Sequence, residues 1–335
     1  MRTIALTALL LSAPAVAQGN APATVPVSTV PASTPAAMGT GLRITAPVGT
    51  TVELQITTES RMSMGKVEVT AVPGRQVPAA KLQAMQQEMS RGMGQTNVPA
   101  IAGKLFVRVA ARAADGSVTL LTSMIQSIPG EKAPLTLRMT QQVAPSGIVT
   151  SLSMDSDHPM MKAMLAGFTS EKLRQFASQS GADHTGIYGR PLVKGAVHTQ
   201  TATVDLQEIM SAVLQGIAGQ DPEVAAALRD IKTSPLKTTT TTTYAGVNAQ
   251  GLHTFTVSGR SDGYRMSLGG KGGMPAMTME LVNVQTSGSS AYRPDGLPGP
   301  MTQQSSMQMV MTMQMDDVIL KMPMTMTQTV TARPR

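Results

Sequence analysis

From Leu42 onward, apolar residues in this chain recur at every second position, and that period restricts the fold more than any other feature. Val52, Leu54 and Ile56 alternate with Glu53, Gln55 and Thr57. Side chains on an extended strand point to opposite faces in turn, so such a segment suits a sheet with one dry and one wet side. Alternation or β-branched enrichment also marks 66–72, 104–111, 117–125, 135–143 and 148–154, then 196–204, 237–244, 252–258, 264–268 and 276–285. Asp115-Gly116 and the run from Asn248 to Gly251 fall between such segments, where hairpin turns are expected. Short runs separated by turn residues predict antiparallel pairing.

The alternation is most pronounced at the end of the chain. Met307, Met309, Met311, Met313 and Met315 alternate with Gln308, Val310, Thr312, Gln314 and Asp316. After Asp316-Asp317, a second run sets Val318, Leu320, Met322, Met324 and Met326 on one side. The two runs predict a hairpin with a methionine-lined inner face. Met is unbranched and adaptable, which suits an apolar surface that must accept varied shapes, whereas Leu or Ile specifies a core more sharply. Three readings stay open for these residues: plain core, a pliable face for an apolar ligand, or a thioether site for Cu(I). The four His residues (158, 184, 198 and 253) lie far from the cluster in sequence.

Helical spacing interrupts the strands three times. The segment 79–92 places Leu82, Met85 and Met89 on one face, and 159–178 does the same with Met161, Leu165, Phe168 and Leu173. The segment 206–231 reads as two short helices around Gly219-Gln220-Asp221-Pro222. The expected fold is mainly β (α+β): a large curved antiparallel sheet or open half-barrel with a few packing helices.

The first residues predict export. Arg2 supplies a positive start, Ile4–Leu11 an apolar stretch, and Ala15-Val16-Ala17 the small-x-small pattern, so cleavage is expected before Gln18. A membrane span needs about 20 mostly apolar residues, and this run ends well before that at Pro14. The expected organisation is a signal peptide at 1–17, a Pro/Ala/Ser/Thr-rich tether at 18–41, and one β-rich domain at 42–335, or two sub-domains meeting near 185. The tether lacks charge and periodicity and cannot bury enough apolar surface to offset its ordering entropy. The expected location is the periplasm or the outside of the cell, with no transmembrane segment in the mature chain.

Composition removes several functions. There are no cysteines, hence no disulfides, thiolate metal sites or cysteine nucleophile. The net charge is +7, yet Lys and Arg are scattered, and with four Phe, four Tyr and no Trp the stacking platforms of nucleic-acid binders are missing. Nucleic acid is not an expected partner. An anionic envelope surface suits that charge better, through weak salt-screened attraction.

Apparent catalytic motifs dissolve on inspection. Asp155-Ser156-Asp157-His158 precedes Pro159 and reads as a helix cap. Ser234-Pro235-Leu236-Lys237 has S-x-x-K spacing but lacks the companion motifs of serine acyl enzymes. Gly269-Gly270-Lys271-Gly272-Gly273 lacks phosphate-loop spacing. No catalytic residue or cofactor is expected.

The layout resembles a group of uncharacterised bacterial exported β-rich proteins. The segments that carry the likeness are 149–157, Tyr188-Gly189-Arg190-Pro191-Leu192-Val193-Lys194-Gly195, and Ala291-Tyr292-Arg293-Pro294-Asp295-Gly296. The architecture is also similar to the half-barrels of envelope lipoprotein carriers, which implies a lipid-type ligand. The expected function is therefore an exported non-enzymatic envelope protein holding an apolar small molecule or lipid on its Met face. The alternatives are a structural or surface-interaction protein with the Met faces as core, and a Cu(I)-binding Met-rich protein.

Overall fold

The computed structural model describes residues 41–92, 96–127, 133–165, 186–205, 231–261, 263–269 and 275–335, together with Glu171, Leu173, His184 and Gln207. The expected signal peptide, the tether to residue 40, most of the helix beyond Leu165, nearly all of the 206–231 helices and most of the 269–273 loop lie outside these residues.

The first half carries β1 (Thr51–Met64), β2 (Glu68–Ala71), α1 (Ala79–Gly92), β3 (Thr96–Arg112), β4 (Val118–Gln126), β5 (Leu135–Val143), β6 (Val149–Ser156) and α2 (Pro159–Leu165). The second carries β7 (Val197–Val204), β8 (Lys232–Thr233), β9 (Leu236–Val247), β10 (His253–Ser261), β11 (Tyr264–Leu268), β12 (Ala276–Tyr292), β13 (Pro298–Met315) and β14 (Val318–Pro334). The strands form one 14-stranded sheet in the order β6-β5-β4-β3-β1-β14-β13-β12-β10-β9-β7, with β2, β8 and β11 off that path. Among the described residues the ladders between these strands are antiparallel. Strands from before and after residue 185 share the sheet, because β1 pairs with the last strand, β14. The path ends at β6 and β7, which do not pair with each other, so the sheet is open and not a barrel.

The period of two is realised on this sheet. Val52, Leu54 and Ile56 are buried, and the residues between them are exposed or half-buried. The core face continues through Leu105, Val107 and Val109 of β3 to Val330 and Ala332 of β14. One end of this face is closed by backbone segments. Residues 42–46 lie across it, held by Thr45 and Ala46 N–H groups that donate to the Asp295 carbonyl and by Arg112 donating to the Ile44 and Ala46 carbonyls. Gly296, at φ 82°, has no room for a Cβ, which would meet the Arg43 carbonyl.

At the other end the three longest neighbouring strands, β12, β13 and β14, outrun their partners. β14 pairs with β1 over one stretch and with β2 over another, and Gly65 between them donates its N–H to Pro323 O at 2.7 Å. β12 pairs with β10 and then with β11 in the same way. A bulge between Leu281 and Asn283 leaves Val282 outside the ladder. It switches parity, so Met277, Met279 and Leu281 share the core face with Val284. The sequence period treated 276–285 as one even strand; the extra residue interrupts it.

The expected terminal hairpin is present: Met315 pairs with Val318 across Asp316-Asp317, and Asp316 takes the left-handed φ of 49° that Asp tolerates. α1 forms at 79–92 as predicted. It sets Leu82, Met85 and Met89 against Val67, Val69 and Leu320, and Gln86 donates to Val67 O at 2.8 Å.

Candidate functional site

Residues directly opposite on antiparallel strands share a face and lie about 4.5–5.5 Å apart at Cα. The ladders convert the Met alternation into rows that cross strands. Met62, Met326 and Met307 form one row over β1, β14 and β13. Met64, Met324 and Met309 form the next. The third is the longest, with Met322, Met311, Met279 and Met266 in direct register over β14, β13, β12 and β11. Met313 then pairs with Met277 and with Leu320.

Of the eight Met residues singled out in the terminal hairpin, Met307 and Met322 are buried, and Met309, Met311, Met313, Met324 and Met326 are half-buried. Met315 sits at the hairpin tip and is 44 % exposed. The structure adds Met62, Met64, Met266, Met277 and Met279, which the sequence reading did not single out. A signal was available: Met62-Ser63-Met64 and Met277-Thr278-Met279 repeat the same M-x-M spacing.

The rows join two apolar clusters. One lies under α1 and contains Val67, Leu320 and Met322; the other contains Tyr264, Leu281 and Met307. Charge is kept to the reverse face, where Lys321 pairs with Glu68 at 3.7 Å and Arg265 with Glu280 at 3.4 Å. Burial, aided by the charge of Asp205, pushes the Tyr264 phenol up to about 12, so it stays neutral. The Thr233 hydroxyl, opposite Met266, is buried without a hydrogen-bond partner. Among the described residues no group of three His, Asp or Glu is placed to hold a metal ion. No helix there is long and apolar enough to cross a membrane.

The closed end of the core face gathers the scarce aromatics. Rings follow one another from His184 to Tyr188 (5.5 Å), Tyr292 (5.9 Å), Phe255 (5.7 Å), Tyr244 (5.2 Å) and His253 (6.0 Å). The Tyr188 hydroxyl donates to Gly296 O at 2.6 Å, joining two of the segments on which the resemblance rests. Burial lowers the His184 imidazole to about 4, leaving it neutral with Nδ1 unpartnered. Beside this cluster an open cavity of about 220 Å³ is lined by Ile187, Leu192, His198, Thr242, Tyr244 and Phe255, among others. It does not reach the Met rows.

No family model and no curated protein matches this chain.

The other motifs take structural roles. Asp157 accepts both terminal N–H groups of Arg138, which holds its carboxyl below the usual range, and Asp155 lies 3.7 Å from the same guanidinium. Of the helix cap expected from the Asp and Ser side chains of this segment, the Ser156 hydroxyl accepts the N–H of His158, the residue just before α2, at 3.2 Å. The Ser234 hydroxyl accepts the Arg265 N–H at 2.8 Å and extends the β8–β11 ladder.

Proposed function

We propose that this chain is an exported, non-enzymatic envelope protein that holds an apolar ligand, a lipid acyl chain being the best fit, against its Met rows. One observation carries the reading: Met309, Met311, Met313, Met324 and Met326 lie on the core face of the longest strands yet stay half-buried. A face serving only as core gains by complete burial and by side chains with few rotamers, as at Leu54 and Leu105. Half-buried thioethers on a contiguous apolar surface suit an occupant of variable shape. The export pattern at residues 1–17 and the similarity to lipoprotein-carrier half-barrels support the location and the ligand class.

The second reading is a structural or surface-interaction protein with these Met residues as core, and the burial of Met307 and Met322 favours it. Native mass spectrometry of the protein purified from its host without detergent separates the two. A co-purifying lipid mass, lost in Met311→Glu while the thermal transition persists, supports the carrier reading. A ligand-free mass with no binding of a fluorescent fatty acid overturns it.

A further inference from the structure

The third Met row has a property that an apolar ligand does not require. Met322, Met311, Met279 and Met266 come from four strands and are aligned by three separate ladders, so that four thioethers lie side by side on one face. Neighbouring positions on that face are Leu320, Met313, Met277 and Leu268 on one side and Met324, Met309, Leu281 and Tyr264 on the other. None carries a carboxylate or an imidazole. At the end of the row stands Thr233, whose buried hydroxyl oxygen has no partner. An oxygen in that state has lost its hydration and gained no hydrogen bond in return.

We infer that this row is a binding site for Cu(I). Thioether sulfur is a soft, neutral ligand that selects Cu(I) over Zn(II), Mg(II) or Ca(II), which prefer imidazole, thiolate or oxygen. The ion's charge argues the same way. The cost of bringing an ion out of water grows with the square of its charge, and none of the described strand positions bordering the row carries an anion to offset a divalent one. Successive Met within the row, at about 4.5–5.5 Å between Cα atoms, place three sulfurs within reach of one centre, since each Met side chain has three rotatable bonds. Met311 and Met279, at the middle of the row, each have a Met on both flanks and are the expected principal ligands. Met322 and Met266 complete the set, and the Thr233 oxygen lies at its edge.

The inference does not rest on the apolar-ligand reading, because Cu(I) affinity is measured directly and without lipid. Met→Leu keeps volume and apolarity but removes the sulfur. The full chain would be titrated with Cu(I) under anaerobic reducing conditions against bicinchoninate. Met139→Leu with Met154→Leu, an isolated cross-strand Met pair on β5 and β6, serves as control. We expect one Cu(I) per chain to be withdrawn from the chelator, at least a tenfold loss of affinity in Met279→Leu with Met311→Leu, and no change in the control. X-ray absorption at the copper edge should show a shell dominated by sulfur. The thermal transition of the double variant should stay close to that of the wild type, so that lost affinity reports the missing sulfurs. Failure to compete with the chelator, or equal affinity in the wild type and the 279/311 variant, overturns the site.

Discussion

The core face of this sheet is built in two ways. Around Leu54, Leu105, Tyr292 and Leu297 it is made of branched aliphatics and rings, fully buried and closed by the 42–46 segment and the turn before Leu297. Around Met309, Met311 and Met324 it uses the same backbone and the same period, yet its side chains are unbranched and half-buried. The difference lies in side-chain entropy and shape. Branched and aromatic residues lose little freedom on burial and pack one way, whereas Met costs up to about 2 kcal/mol to order and adapts to its neighbours. One end defines the fold, and the other tolerates change.

The contrast is tested most severely by truncation. Leu105→Ala should destabilise the protein by about 2–5 kcal/mol in urea denaturation, because the site is closed on all sides and cannot collapse. A loss below about 1 kcal/mol would break the claim that this end is the rigid one.

Acid should act on the same end. The unfolded chain binds a proton at His184 near the ordinary value of 6.5, but the folded chain does so only at about 4. The unfolded state therefore takes up more protons in between, and stability present above 6.5 is lost as pH falls toward 4, on the order of 3 kcal/mol in total. His184→Gln should flatten this slope. Asp115 is held low mainly by the Ser117 backbone N–H and Asp157 mainly by Arg138, so both act only below the ordinary carboxylate value of 3.8, whereas His198, lowered by burial and by Arg190, adds a further contribution of the same sign below 6.5. An unchanged slope in the variant would place the acid-sensitive group elsewhere.

The smallest effect is expected at the Met end. Met309→Leu with Met324→Leu should change stability by less than about 1.5 kcal/mol, since volume and apolarity are kept. Its sharper consequence is on ligand range: branched Leu should narrow the set of fatty-acid chain lengths bound, read by displacement of a fluorescent probe. A loss near that of Leu105→Ala would make the two ends equivalent and favour the plain-core reading.

Much of this was legible in the residues alone. Strand period is a local property: two positions on, a side chain returns to the same face. Alternation was therefore enough to place Met307 to Met313 and Met322 to Met326 on one side of a hairpin, and helical spacing was enough for 79–92. Register is not local. Which residue of β12 faces Met311 depends on the bulge at Val282, and Met64 lies opposite Met324 only because Gly65 lets the chain pass Pro323 and split into β1 and β2. The same holds for the aromatics, few and scattered in sequence, which meet in one chain of rings because the 186–190 and 291–297 segments close on the same end of the sheet. Sequence determined the faces; pairing between distant strands decided which sulfurs and which rings became neighbours, since that choice is made by contacts no local pattern encodes.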